Sequence, residues 1–388
     1  MDTEYAERNG ILFIPRIIER PGLNEDLKHI NEREIHFEQH FREIDRPIRV
    51  SRSSGINSQP HLAADTVISN MPPTGYVSIE VMAFGLGDWD TQENAEEFRA
   101  RSTLGLECSG RVLAVGAGVQ SLSVGDRVAC LGVGTARSYY QDRESAFQRI
   151  EDFMDFQTAA AVPVSYTTAY FIMHYLTRVR PDEFILIQDA ASLLGQAIIE
   201  ICCIREARVL ATVNDLTQKD LLLSRCAIPP ERIFIEDTNH VIRNVLELTG
   251  GKRVRILISM SKKDHQKYQT LLECVAPFGH MVCITSGRPG GNLSYTSGIC
   301  ENEIFSKAKN ISLSLFNIFD FQKDRADLAR QIWSKVIQHF KDGRFHGPSS
   351  LFISSISDLS LSNAILDEPH VVVNTENNEL IQASRFFT

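Results

Sequence analysis

Between Phe184 and Thr285 the sequence switches repeatedly between two hydrophobic periods, and few folds accept that pattern. "EFILIQDA" is a short apolar run, "LGQAIIEICCIRE" has apolar residues at helical spacing, and "ARVLATV" is apolar again. "QKDLLLSRCA", "RIFIE", "HVIRNVLELTGG", "RVRILISM", "HQKYQTLLECVAPFG" and "HMVCITS" follow, read in turn as helix, strand, helix, strand, helix and strand. A strand with no polar face needs cover on both sides. Such strands joined through helices by short links predict a doubly wound parallel sheet. "TTAYFIMHYLTRV" before this stretch and "RADLARQIWSKVIQHFKDGRF" after it read as further helices.

The flanking sequence is of another kind. "YVSIEVMAFGL" alternates apolar and polar positions, as a half-buried strand does. "LECSGRVLAVGAGVQSLSVGDRVACLG" reads as a strand, a turn at Gly116 to Gly118, a second turn at Val124-Gly125-Asp126, and another strand. "SSLFISSISDLS" returns to strand character near the C-terminus. The fold class expected is α/β: a Rossmann-like parallel sheet plus a β-rich domain.

Composition bounds the function. The chain has 388 residues, of which 43% are hydrophobic, so a large core can form. Its 40 basic and 49 acidic residues leave a net charge of −9, which argues against nucleic acid or an anionic membrane as partner. No apolar run reaches the roughly 18 residues of a membrane-spanning helix. The start, "MDTEYAERNG", is too polar for a secretory signal, and a cytoplasmic location is expected. Eight scattered cysteines without CxxC spacing are expected to be reduced, buried hydrophobes.

"ILIQDAASLLGQAIIEI" raises the functional question. A strand, a tight turn and a helix are expected there, the arrangement on which a dinucleotide's pyrophosphate rests against bare backbone. Ser192, Leu193 and Leu194 fill the turn, and Gly195 alone has no side chain.

"LGLECSG" followed by "AVGAGVQSLSVGDRV" resembles the zinc-independent medium-chain dehydrogenase/reductase superfamily. "AAAVPVSYTTAYFIMHYLTRVRPDEFILIQDAASLLGQA" is similar to the enoyl reductase domain of fatty acid synthases and highly reducing polyketide synthases. The lead "NGILFIPRIIERPGLNE" resembles the entry to that domain in fungal polyketide synthases, so the chain is expected to be cut from such a synthase. The resemblance implies a discontinuous GroES-like substrate domain, residues 46–162 and 317–388, around a nucleotide-binding domain, residues 163–316. Residues 1–45 are expected to be an entry segment packed on the substrate domain.

In that family NADPH gives a hydride to an α,β-unsaturated thioester on an acyl carrier. The positions that would hold the cofactor are Ser192, Leu193, Leu194, Gly195, Asn214 and Lys219. Two successive family glycines match Ser192 and Leu193. His-Ala before the turn becomes Gln188-Asp189, which sets a negative charge near the pyrophosphate. At the ribose end Asn214-Asp215 replaces the usual Gly-Ser or Gly-Thr, and Lys219 is the candidate for a 2′-phosphate. Ser286 stands where a proton-donating lysine is expected, Asp320 near its partner acid, and Ser259-Met260 for Asn-Ser. "DEPHVVVNTENNEL" replaces the closing Gly-Lys pattern. The zinc ligands of metal-dependent relatives fall at Gly87 and Leu106, so no metal is expected, and Glu107 reads as structural. His174 reads as a packed helical side chain.

These departures make the expected protein an enoyl-reductase-like pseudoenzyme with no catalytic residue and no cofactor, and a scaffolding role. Its partners would be neighbouring domains of the synthase, an acyl carrier domain and an enoyl reductase acting in trans; homodimer formation is left open. Two alternatives stand: an active NADPH-dependent enoyl reductase with a divergent turn, and a free quinone-oxidoreductase-like enzyme.

Overall fold

The computed structural model describes residues 6–8, 11–13, 34–52, 60–65, 71–87, 90, 104–226, 228–235, 238–260, 271–285, 310–360 and 370–386. Strands come first: β1 (Ala6–Arg8), β2 (Ile11–Phe13), β3 (Glu34–His40), β4 (Ile48–Arg52), β5 (Pro60–Ala64), β6 (Tyr76–Gly87), β7 (Glu107–Val115), β8 (Arg127–Leu131), β9 (Tyr139–Arg143) and β10 (Phe147–Arg149). Helix α1 (Phe156–Tyr170) leads into β11 (Phe184–Ile187), α2 (Leu193–Ile204), β12 (Arg208–Val213), α3 (Leu216–Arg225), β13 (Ile233–Ile235), α4 (Thr238–Leu248), β14 (Val254–Ser259), β15 (Val275–Thr285) and β16 (Ser312–Asn317). The chain closes with α5 (Ile318–Asp324), α6 (Ala326–Lys341), β17 (Ile353–Ser355), β18 (His370–Asn374) and β19 (Leu380–Phe386).

Six strands form a parallel sheet in the order β13-β12-β11-β14-β15-β16. Ile185 and Ile187 point into a core shared with Ala197, Ile198 and Ile201 of α2, whereas Leu186 packs with Leu210, Leu257 and Val245 on the other face. All three β11 residues are fully buried. Burial on both faces is why β11 carries no polar alternation. The expected helix over 265–279 ends too late: its last five residues, Val275 to Gly279, open β15. A register irregularity against β14 accompanies this start, and Phe278 has φ +60 and lies exposed.

A second sheet runs β10-β8-β7-β6-β18-β17, with β9 also on β6. Its neighbours β6 and β18 lie nearly 290 residues apart in the sequence, so register here is settled by long-range pairing such as Gly87↔His370. A third sheet, β3-β19-β5-β4, joins the entry segment to the last strand. The 162/163 boundary expected between domains falls at Pro163 inside α1. That helix is capped by Asp155, whose carboxylate accepts from Thr158 N at 2.6 Å, and its buried side chains are mostly small. It packs on β6, β7 and β8 and also on α2 and α6. Trp333 of α6, fully buried, lies in that shared core.

The chain leaves α1 through a π-helical turn, Phe171–Leu176. His174 sits in it, stacked on Tyr170 at 4.1 Å. Burial, and then the nearby Arg205 charge, lower its pKa to about 4. Because the folded value lies below the unfolded one, this group favours the native state above about pH 6.5, and that contribution disappears as pH falls towards 4. His174→Gln is therefore expected to flatten the loss of thermal stability between those pH values. An unchanged pH slope would refute the assignment.

Candidate cofactor cleft

The carboxyl ends of β11, β12 and β14 bring the expected cofactor positions together. Ser192 N-caps α2: its Oγ accepts from Gly195 N at 3.2 Å and donates to Asp189 O at 2.7 Å. Ordinary capping explains the serine, and it uses one of the helix-terminal amides that make such an end attractive to anions. Leu193 and Leu194 are half-buried and pack against the core shared with Ile187 and Ala190. Gly195 remains because the strand-turn backbone passes very close. A Cβ there would lie 2.6 Å from Ala190 O and 2.7 Å from Ala190 Cα.

Asp189 has φ +47, a left-handed backbone that aspartate tolerates better than most residues. Asn214 Nδ2 donates to its Oδ1 at 3.4 Å, so the acid and the ribose-end position share one edge. Beside them Asp215 caps α3 by accepting from Gln218 N. Lys219 directs Nζ to Ile233 O at 2.9 Å, at the rim of the sheet. Gln188 is buried, and its Oε1 accepts from Ser259 Oγ; Ser192 Oγ also lies 3.4 Å from Met260 Sδ.

The positions expected for chemistry are less united. Ser286 lies outside the described residues. Asp320 is in the first turn of α5, where Asn317 caps its amide. Burial and the neighbouring Asp324 raise its pKa. Its place is set by β16, whose last residue Asn317 pairs with Thr285.

Glu107 has a larger setting than its sequence suggested. Its side chain is fully buried. Oε2 accepts from Val164 N at 2.8 Å, and Oε1 meets His370 Nε2 at 2.7 Å. Pro163 interrupts the hydrogen-bond ladder of α1 one residue earlier, and the carboxylate takes the next amide. Gly85 makes room: a Cβ there would lie 2.7 Å from Glu107 Oε1. One carboxylate thus joins β7, α1 and β18. Sequence reading missed His370; the signal was a lone histidine heading "HVVVN" opposite a strand end. Among the described residues, no group of three or more His, Cys, Asp or Glu is placed to hold a metal ion.

A parallel nucleotide-type sheet packed through one helix on a mainly antiparallel sheet is the architecture of the medium-chain dehydrogenases and reductases. Residues 73–168 match the alcohol dehydrogenase GroES-like domain. The chain is 30% identical over 360 residues to the highly reducing polyketide synthase phiA of a fungal species, covering 92% of this chain and 14% of that protein. It is equally similar, over the same spans, to the highly reducing polyketide synthase tstA of Talaromyces stipitatus. The chain therefore spans about a seventh of the length of these curated relatives. Its fold matches the crystal structure of CurK enoyl reductase, with TM-score 0.71, 21% identity, and 84% and 99% of the two chains covered. The chain carries an alcohol dehydrogenase GroES-like domain, is homologous to a region of fungal highly reducing polyketide synthases, and shares the fold of enoyl reductases. No helix among the described residues is long and apolar enough to cross a membrane.

Proposed function

We propose that this chain is a pseudo-enoyl-reductase domain of a highly reducing polyketide synthase, keeping the reductase fold but not hydride transfer from NADPH. It holds neighbouring domains in place, and an enoyl reductase acting in trans supplies the reduction. In this reading the substrate domain comprises residues 46–162 and 317–388 and the nucleotide-type domain residues 163–316.

One observation carries the reading: the phosphate turn is satisfied by its own residues. Ser192 Oγ holds the Gly195 amide, and Asp189 stands beside it with its carboxylate towards Asn214. Ser192 and Leu193 stand where the family has two glycines, and Leu193 and Leu194 pack against the core at the turn. Lys219, the candidate for a 2′-phosphate, already meets the Ile233 carbonyl. These residues do not suit NADPH. Lost charged hydrogen bonds cost about 2–3 kcal/mol each, and a carboxylate facing phosphate adds repulsion. A total near 4 kcal/mol, about a thousandfold, takes a micromolar site to millimolar.

Titration calorimetry with NADPH is expected to give no binding tighter than about 1 mM at that loss. An assay with crotonyl-pantetheine or a longer enoyl-pantetheine is expected to show no NADPH oxidation. Steady oxidation would overturn the reading in favour of an active reductase with a divergent turn.

A further inference from the structure

The amino ends of the parallel strands, opposite the cofactor cleft, carry a surface that the proposed function has not used. The π-helical turn leads into "TRVRP", which places Arg178 and Arg180 on either side of buried Val179, both exposed. Arg205, at the end of α2, reaches over and donates to Val179 O at 3.4 Å. From α6, Lys335 Nζ lies 2.8 Å from Tyr175 Oη and 5.5 Å from the centre of its ring. Tyr175 is 38% exposed. Tyr170 connects the two halves, stacked on His174 and 5.7 Å from His339.

None of Arg178, Arg180, Arg205 and Lys335 forms an ion pair among the described residues. Of the nearby acids, Asp182 pairs with Arg208 and Glu183 with Arg255, Glu183 also accepting from Arg180 N at 3.0 Å, while Asp342 accepts from Gln338. Glu206 is the remaining acid beside Arg205. Burial lowers the pKa of both histidines; Arg205 adds to this at His174, which is brought to about 4, and Arg344 adds to it at His339. On a chain of net charge −9 a concentration of positive charge around exposed aromatic rings is a local exception. Such an arrangement attracts carboxylates over a range of about 10 Å at 0.1 M salt.

We propose that this basic, aromatic surface, formed by Arg178, Arg180, Arg205, Lys335 and Tyr175, docks a carboxylate-rich surface of another protein domain. The inference rests on reading the chain as one domain of a synthase. Its position also decides the kind of partner. Lying at the amino ends of the strands, away from the carboxyl-end cleft, it suits a structural neighbour rather than a substrate carrier. Tyr175 supplies a rigid contact, Lys335 is already fixed against it, and the arginines offer forked donors that match carboxylates.

Two experiments test it. The first measures fluorescence anisotropy of a labelled oligoglutamate peptide with the whole 388-residue chain at low salt. Binding is expected, with a weakening of tenfold or more in the triple variant Arg178→Gln, Arg180→Gln, Lys335→Gln. Arg205 is kept because it bonds the backbone, and circular dichroism checks that the variant folds. Equal binding by the variant overturns the inference. So does tighter binding of an oligothymidylate of equal charge, which would mark a nucleic-acid surface. The second is carbodiimide cross-linking of the intact synthase that contains this domain. Lys335 is expected to join an aspartate or glutamate of another domain, and cross-links confined to its own domain overturn the inference. Tight NADPH binding by the wild type would instead overturn the pseudoenzyme reading and leave the docking surface standing.

Discussion

Glu107→Ala is expected to cost about 3–5 kcal/mol of stability, the range for breaking a buried charged contact by removing one partner. Three effects add. The Val164 amide, one residue past Pro163, loses its acceptor inside a buried helix. His370 Nε2 loses the carboxylate 2.7 Å away. The vacated volume lies between β7, α1 and β18, three segments with no other shared carboxylate among the described residues. Glu107→Gln keeps the shape and an acceptor for Val164, and its cost is expected to be clearly smaller. Urea unfolding followed by circular dichroism measures both. A cost below about 1 kcal/mol for the alanine variant, the level of an ordinary exposed ion pair, would show that the carboxylate is not what joins these segments.

The second large effect concerns the turn. Ser192→Gly with Leu193→Gly is expected to tighten NADPH binding by at least tenfold. The exchange removes two leucine-turn obstacles at once: the Leu193 side chain, and the hydroxyl that occupies the Gly195 amide. Losing the cap to glycine costs α2 only a few tenths of a kcal/mol, so the variant is expected to fold. Recovery stays partial because Asp189 keeps its carboxylate at the turn. On the proposed reading, in which Ser286 takes the place of the family's lysine, turnover is not expected to return. Calorimetry on wild type and variant decides it; unchanged affinity would mean that the turn is not what excludes the cofactor.

A relation between local pattern and long-range pairing separates what could be read early from what could not. The parallel sheet was readable from sequence because a strand buried on both faces must be apolar throughout. "FILI" and "VLATV" announce such strands without reference to anything distant. The turn was readable for a related reason: a glycine replaced by Ser192 or Leu193 changes backbone access wherever the strand and helix lie. The start of β15 was not. "ECVAPFG" has helical spacing, and only pairing with β14, Val275 opposite Val254, draws Val275 to Gly279 into the sheet.

The sequence alone thus determined the class of fold and the identity of the turn residues, because each depends on neighbours within one turn or one strand. Tertiary structure decided the rest. It placed Lys219 on the Ile233 carbonyl, Asp320 in a helical first turn, and His370 beside Glu107 across a separation of 263 residues. It also gathered Arg178, Arg205 and Lys335 at one end of the sheet. A charge or a hydrogen bond between distant segments depends on how strands are ordered, and strand order is fixed by packing of the whole chain, which no local pattern records.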